Sequence, residues 1–164
     1  MKRTHVVLGT IAVIALTAAT ALAAKWVSYQ SDKFGFKMSI PADMKHVDKD
    51  FGGGWGGFAG ELGVVKLLGI ARLDTTIKPA DMEKFAVTIS GIPAKSWTLV
   101  DQGKGQNGWT WYKTWQATDG KGLVYGIEGQ GPKGSYLIFL VTTAADFKAN
   151  NADYLTWYGS LTVF

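Results

Sequence analysis

The amino-acid sequence predicts an α+β domain, an antiparallel β-sheet flanked by helices. Three observations predict it. Residues 33–40 alternate between polar and apolar, with Phe34, Phe36, Met38 and Ile40 on one face, which is the period of a half-buried strand. Residues 79–90 place Met82, Phe85, Ala86 and Ile89 on one stripe, the spacing of an amphipathic helix. From Trp97 onward, four strand-like runs are separated by short turn-forming segments, the pattern of a β-meander.

Taken in order, Trp26 to Tyr29 pairs with the alternating strand across the polar turn Gln30 to Asp32, and Pro41 ends that strand. Asp43 to Asp50 reads as a polar connecting segment, leading into Gly52-Gly53-Gly54-Trp55-Gly56-Gly57. Phe58 to Leu73 is apolar enough for one long or two short strands, and Gly60, Gly63 and Gly69 suggest bends or bulges along it. The helix starts at Pro79, whose ring suits the first turn, has Asp81 and Glu83 near its positive end, and stops before Gly91 and Pro93. The meander strands are Trp97 to Gln102, Trp109 to Thr118, Leu123 to Gln130 and Ser135 to Thr143. Tyr136 to Val141 is apolar on both faces, which places that strand centrally, with cover on both sides. Ala144 to Phe164 reads as helical, with Thr143 and Asp146 as a capping box.

Residues 1–23 have the parts of a secretory signal peptide: Lys2 and Arg3, an apolar stretch from Val6 to Leu22, and an Ala21-Leu22-Ala23 cleavage site. Lys2-Arg3 resembles a twin-arginine signal at one position only. The competing reading is a retained membrane anchor, since the apolar stretch is near the shortest that crosses a bilayer. Cleavage after Ala23 leaves residues 24–164 as a single domain with no membrane span, periplasmic or secreted. Removing Lys2 and Arg3 from 17 basic residues leaves 15 against 13 acidic ones, too even a balance to indicate a nucleic-acid partner. The chain has no cysteine, which excludes disulfides, thiol catalysis, cysteine-bound zinc and a lipidated N-terminal cysteine.

The motifs that could carry chemistry are few. Gly103 to Gly108 and Gly129 to Gly134 both match G-x-G-x-x-G, but a dinucleotide site needs that loop to run from strand into helix, and both run from strand into strand. The cluster Gly52 to Gly57, with Gly54 and Trp55 at its centre, either lets a ligand approach the backbone closely or is a flexible loop. Asp43, His46, Asp48 and Asp50 could hold a divalent ion but lack an EF-hand spacing, and solvated loop charge is the simpler reading, so no metal or cofactor is assigned. His46 is the one histidine of the mature chain, and no serine sits in a G-x-S-x-G elbow. Glu61, Asp101, Asp119 and Glu128 lie on or near strands and could form a carboxylate pair, but they read as surface charge.

The aromatic residues carry a stronger signal. Trp109, Trp111 and Trp115 share one predicted strand face with Lys113, and Trp97 lies on the preceding strand. They form either an aromatic platform for a sugar, lipid or apolar partner or a core face lying under a helix. Lys113 keeps the surface reading open, although lysine also snorkels from the edge of a core.

The order of elements resembles a known superfamily. A strand pair with Gly35-Phe36 and Pro41 is followed by a strand, a helix, a four-strand meander and a C-terminal helix with Ser160-Leu161 near its end. This order resembles the PsbP/Mog1-like α/β/α sandwich superfamily, with its periplasmic DcrB-like proteins, over nearly the whole mature chain. The resemblance implies a non-enzymatic accessory or binding module, with no catalytic residues to carry over. The expectation is an exported, non-catalytic accessory or binding protein meeting a protein or envelope component. The alternative is an exported hydrolase using carboxylates or a metal held by His46.

Overall fold

A computed structural model describes residues 25–164, so the predicted leader, residues 1–23, lies outside the described residues. The described residues form two antiparallel sheets and three helices. β1 (Trp26–Ser31) and β2 (Phe36–Pro41) are the expected hairpin. β3 (Lys45–Gly52), β4 (Trp55–Leu62) and β5 (Val65–Arg72) follow, then α1 (Pro79–Ser90). The meander is β6 (Trp97–Gly103), β7 (Trp111–Thr118), β8 (Gly122–Gln130) and β9 (Ser135–Thr143). α2 (Ala144–Ala149), α3 (Asn151–Gly159) and β10 (Thr162–Val163) end the chain.

The large sheet has the order β3-β4-β5-β9-β8-β7-β6. The chain leaves it at β5, near the middle, crosses one face as α1, re-enters at the far edge as β6 and meanders back until β9 pairs with β5. One face of this sheet carries the small sheet β1-β2-β10 and the C-terminal helices, with Phe36, Met38, Phe58, Leu67, Tyr136, Ile138 and Trp157 between the layers. The other face carries α1, which buries Met82 and Ala86 against Ile70, Val124, Leu137 and Phe139. Residues Tyr136 to Leu140 have no exposed surface; β9 is the doubly covered central strand that its apolar run predicts.

α1 has the predicted limits. Lys78 is extended, Pro79 opens the first turn, and Gly91 ends the helix in the left-handed region at φ 71°, donating its N–H to Val87 O at 2.9 Å. The Thr143 hydroxyl accepts the Asp146 N–H at 3.1 Å, the predicted N-cap of α2.

Three expectations are corrected. Asp43 to Asp50 is largely strand: β3 pairs with β4 at the sheet edge. Its side chains are exposed on both faces, which erases the alternation that would have marked it, and charge on an edge strand discourages further pairing. Gly60 and Gly69 are not bulges, because β4 and β5 pair in continuous register. Gly69 instead makes room for the small sheet: a Cβ there would lie 2.5 Å from the Phe36 ring. The C-terminus is not wholly helical; after α3 the chain straightens and β10 pairs with β2.

β10 is short but anchors two fully buried residues, Leu161 and Val163, in the larger core. Each such side chain contributes about 1.5–3 kcal/mol through burial. Deleting residues 161–164 is expected to lower the unfolding free energy by roughly 3–6 kcal/mol, measured by urea denaturation, whereas a frayed helical tail would leave the midpoint unchanged.

Candidate functional site

Side chains alternate along β7, so Trp111, Lys113 and Trp115 face α1 while Tyr112 and Thr114 face the other layer. β8 places Gln130 opposite Trp111 and Glu128 opposite Lys113. Glu83 reaches down from α1, and its Oε1 lies 2.8 Å from Lys113 Nζ. Trp97, at the start of β6, donates its indole N–H to Ile92 O at 3.0 Å and meets the Trp115 ring edge-on at 6.4 Å. Between the helix and these strands lies a half-open cleft of about 540 Å³, lined by Glu83, Lys84 and Val87 of α1 and by Trp97, Trp115 and Glu128 of the sheet.

Glu128 is the unusual residue. It is 0% exposed, and neither carboxylate oxygen has a hydrogen-bond partner. Lys113 Nζ stays 3.8 Å away, and the Trp115 indole N–H is likewise buried and unpartnered. Two positions along the same strand face, Gln130 is fully engaged: its Oε1 accepts from Trp111 Nε1 at 2.8 Å and its Nε2 donates to Thr75 O at 2.6 Å and Ile77 O at 3.1 Å. Burial pushes the Glu128 carboxyl up to about 7; the Trp115 indole N–H, directed at the carboxylate, opposes this most, the Glu83 carboxylate adds to it and the Lys113 ammonium opposes it. Buried polar groups are nearly always paired, so an orphan carboxylate beside a cleft marks a site.

The structure divides the predicted site residues among four places. Trp97 and Trp115 line the cleft, and Lys113 lies beside it, bonded to Glu83 and near the Trp115 ring. Trp111 shares their face but is held by Gln130 and packs into the core under α1. Trp109 does not share that face: it precedes β7 and is buried in the opposite core, edge-on to Tyr136 at 5.7 Å. A bend at Thr110 separates Trp109 from β7 and breaks the strand that the sequence extends back to Trp109. Gly54 and Trp55 lie at the β3–β4 turn, where Trp55 stacks on Phe85 of α1 at 4.9 Å. Gly52, Gly53 and Gly54 all have positive φ, so this segment is a tight hairpin connection rather than a loose loop.

The two G-x-G-x-x-G stretches join antiparallel strands, β6 to β7 and β8 to β9, as expected of turns. His46 stacks on Phe58 at 5.1 Å, and among the described residues no three His, Asp or Glu side chains gather as metal ligands. Glu128 corrects the reading of it as surface charge. The available signal was its setting, a lone carboxylate in Leu123 to Gly129, an otherwise apolar and glycine-rich run.

Two outcomes follow. Trp109→Ala is expected to cost about 3–5 kcal/mol of stability, measured by chemical denaturation, while Trp97→Ala on the cleft wall costs clearly less. The native Glu128 carboxyl holds its proton more tightly than the unfolded one, so its favourable contribution is complete below about 4.5 and is lost as the pH rises through about 7. Across that window stability should fall by roughly 3 kcal/mol on account of this group, and Glu128→Gln should flatten the pH dependence of the melting temperature.

No family model and no curated protein matches this chain. Among solved structures, the cyanobacterial PsbP protein (CyanoP) of Synechocystis sp. PCC 6803 superposes with a TM-score of 0.59 at 15% identity, covering 96% of this chain and 99% of that one. A Pseudomonas aeruginosa protein of unknown function, PA94, overlaps more loosely, with a TM-score of 0.38 at 11% identity over 80% of this chain and 92% of that one. The likeness to CyanoP establishes architecture, and the order of elements agrees with it: the chain has the α+β, PsbP-like fold.

Proposed function

We propose that this chain is an exported, non-catalytic accessory or binding protein of the cell envelope, periplasmic or secreted, and that the cleft under α1 receives its ligand. The observation that carries the binding role is the pairing of that cleft with buried, unpartnered polar atoms on Glu128 and Trp115. A cleft of about 540 Å³ is within the range of small-molecule sites. Two aromatic walls and one convergent carboxylate provide grip and orientation there. Export rests on residues 1–23, with their positive start, apolar stretch and A-x-A end. Among the described residues no helix is long and apolar enough to cross a membrane. The PsbP-like fold supports the accessory reading by analogy alone.

The hydrolase reading has one observation in its favour: Glu83 and Glu128 flank the same Lys113 ammonium at 2.8 and 3.8 Å. A carboxyl near 7 is suited to acid–base work. Lys113 fills the space between the carboxylates, where a retaining or inverting glycosidase would hold its substrate or water.

Tryptophan fluorescence of the mature domain tests the proposal. Cell-envelope extract is expected to shift the emission of the wild type and not that of a folded Trp97→Ala, Trp115→Ala double variant. An unmoved wild-type spectrum would remove the cleft as the binding site, and turnover of glycosides or esters lost in Glu128→Gln would favour the hydrolase.

A further inference from the structure

The cleft's chemistry narrows its ligand, an inference that rests on the binding role proposed above. We propose that the cleft under α1 binds a small organic cation, an ammonium or guanidinium compound, with Glu128 as its counter-ion and Trp97 and Trp115 as its aromatic walls. The charges lining the cleft are Glu83, Lys84 and Glu128; Lys84 pairs with Asp81 on the exposed side of α1, and Lys113 lies beside the cleft with its Nζ 2.8 Å from Glu83 and 3.8 Å from Glu128. Lys113 therefore hydrogen-bonds Glu83 and meets Glu128 only as a longer ion pair, so the Glu128 oxygens accept no hydrogen bond from it. An ionised carboxylate offers about four lone-pair sites and no donor, so the ligand it lacks is a donor. A neutral donor would leave the desolvated charge uncompensated, whereas a cation neutralises it. The Trp97 and Trp115 rings add cation–π attraction, for which tryptophan is the best of the aromatic side chains.

The competing chemistries fit less well. An anion would meet the Glu128 charge head on. A divalent metal needs several oxygen ligands, and among the described residues no such group gathers. A sugar could stack on the tryptophans, and the test below separates it from a cation.

Glu128 lines the cleft but has no water-accessible surface, so binding requires a side chain above it to give way. Lys113, long, 27% exposed and held at its tip by Glu83, is the side chain able to do so. The groups facing Glu128 are Lys113 from β7, Glu83 and Lys84 from α1, and from β9 the apolar Leu137. Because the cation selects the ionised carboxylate, affinity rises with pH through about 7.

The experiment is calorimetric titration of the mature protein with agmatine, cadaverine and choline, and with the neutral sugar cellobiose, at about pH 6 and about pH 8. At least one cation is expected to bind saturably, up to about nine-fold tighter at the higher pH as Glu128 goes from one-tenth to nine-tenths ionised. Glu128→Gln, a near-isosteric change that removes a buried charge, is expected to weaken binding at least about ten-fold and to abolish the pH effect. Absence of saturable binding by every cation, or equal binding by Glu128→Gln, overturns the inference. Binding of cellobiose alone overturns it while leaving the cleft a binding site, and silence toward all four compounds together with silence toward envelope extract removes the binding role as well.

Discussion

Tyr136 to Leu140 of β9 have no exposed surface, and their side chains alternate between two cores. Tyr136, Ile138 and Leu140 pack toward the small sheet and C-terminal helices, Leu137 and Phe139 toward α1. A strand buried on both faces requires a layer on each side, because apolar surface left in water loses about 25 cal/mol for every Å² that could have been covered. The crossing of the chain from β5 to β6, the placement of α1 on that crossing and the return of the C-terminus as β10 all meet this requirement.

The two layers meet it unequally, and the cleft is the result. On one side the small sheet is joined by α2 and α3, giving a broad cover over the large sheet. On the other side stands α1, with 12 residues and thus a length of about 18 Å. Seven strands about 4.8 Å apart span roughly 29 Å, so one helix cannot roof that face. α1 covers the middle of the sheet, where Leu137, Phe139 and Val124 lie, and leaves β6 and β7 partly open. The outer strands carry Trp97, Trp111 and Trp115, side chains large enough to fill part of the shortfall themselves. What they do not fill is the cleft.

The same physics sets what could be read from the sequence. α1 was legible to the residue because its stop and start are written in backbone chemistry, Pro79 and Gly91, and its buried face in periodicity. β9 was legible because double burial removes polar residues altogether. β3 was not, since an exposed edge strand has no apolar face to alternate, and β10 was not, since two paired residues leave no period. Trp97, Lys113 and Trp115 were found as a group because alternation on a strand places them together. Trp109 was grouped with them by extending the same alternation through Thr110, where the backbone bends. The approach of Glu83 could not be read, because it depends on where a helix lands on a sheet.

Lys113 was the ambiguous residue within the tryptophan stripe, and its surroundings explain both what it does and what it leaves undone. Its ammonium lies 5.5 Å from the Trp115 ring centre and is bonded to Glu83, so it ties α1 to β7 beside the cleft. That bond takes the cation from Glu128, its direct cross-strand neighbour. A glutamine would occupy the Glu128 site at less cost, as Gln130 shows two residues away by satisfying every polar atom it has. A desolvated carboxylate costs several kcal/mol unless something compensates it, and departures of this kind from local consistency concentrate where a protein uses them. The fold needs a residue at this position; the charge is what the proposed site adds.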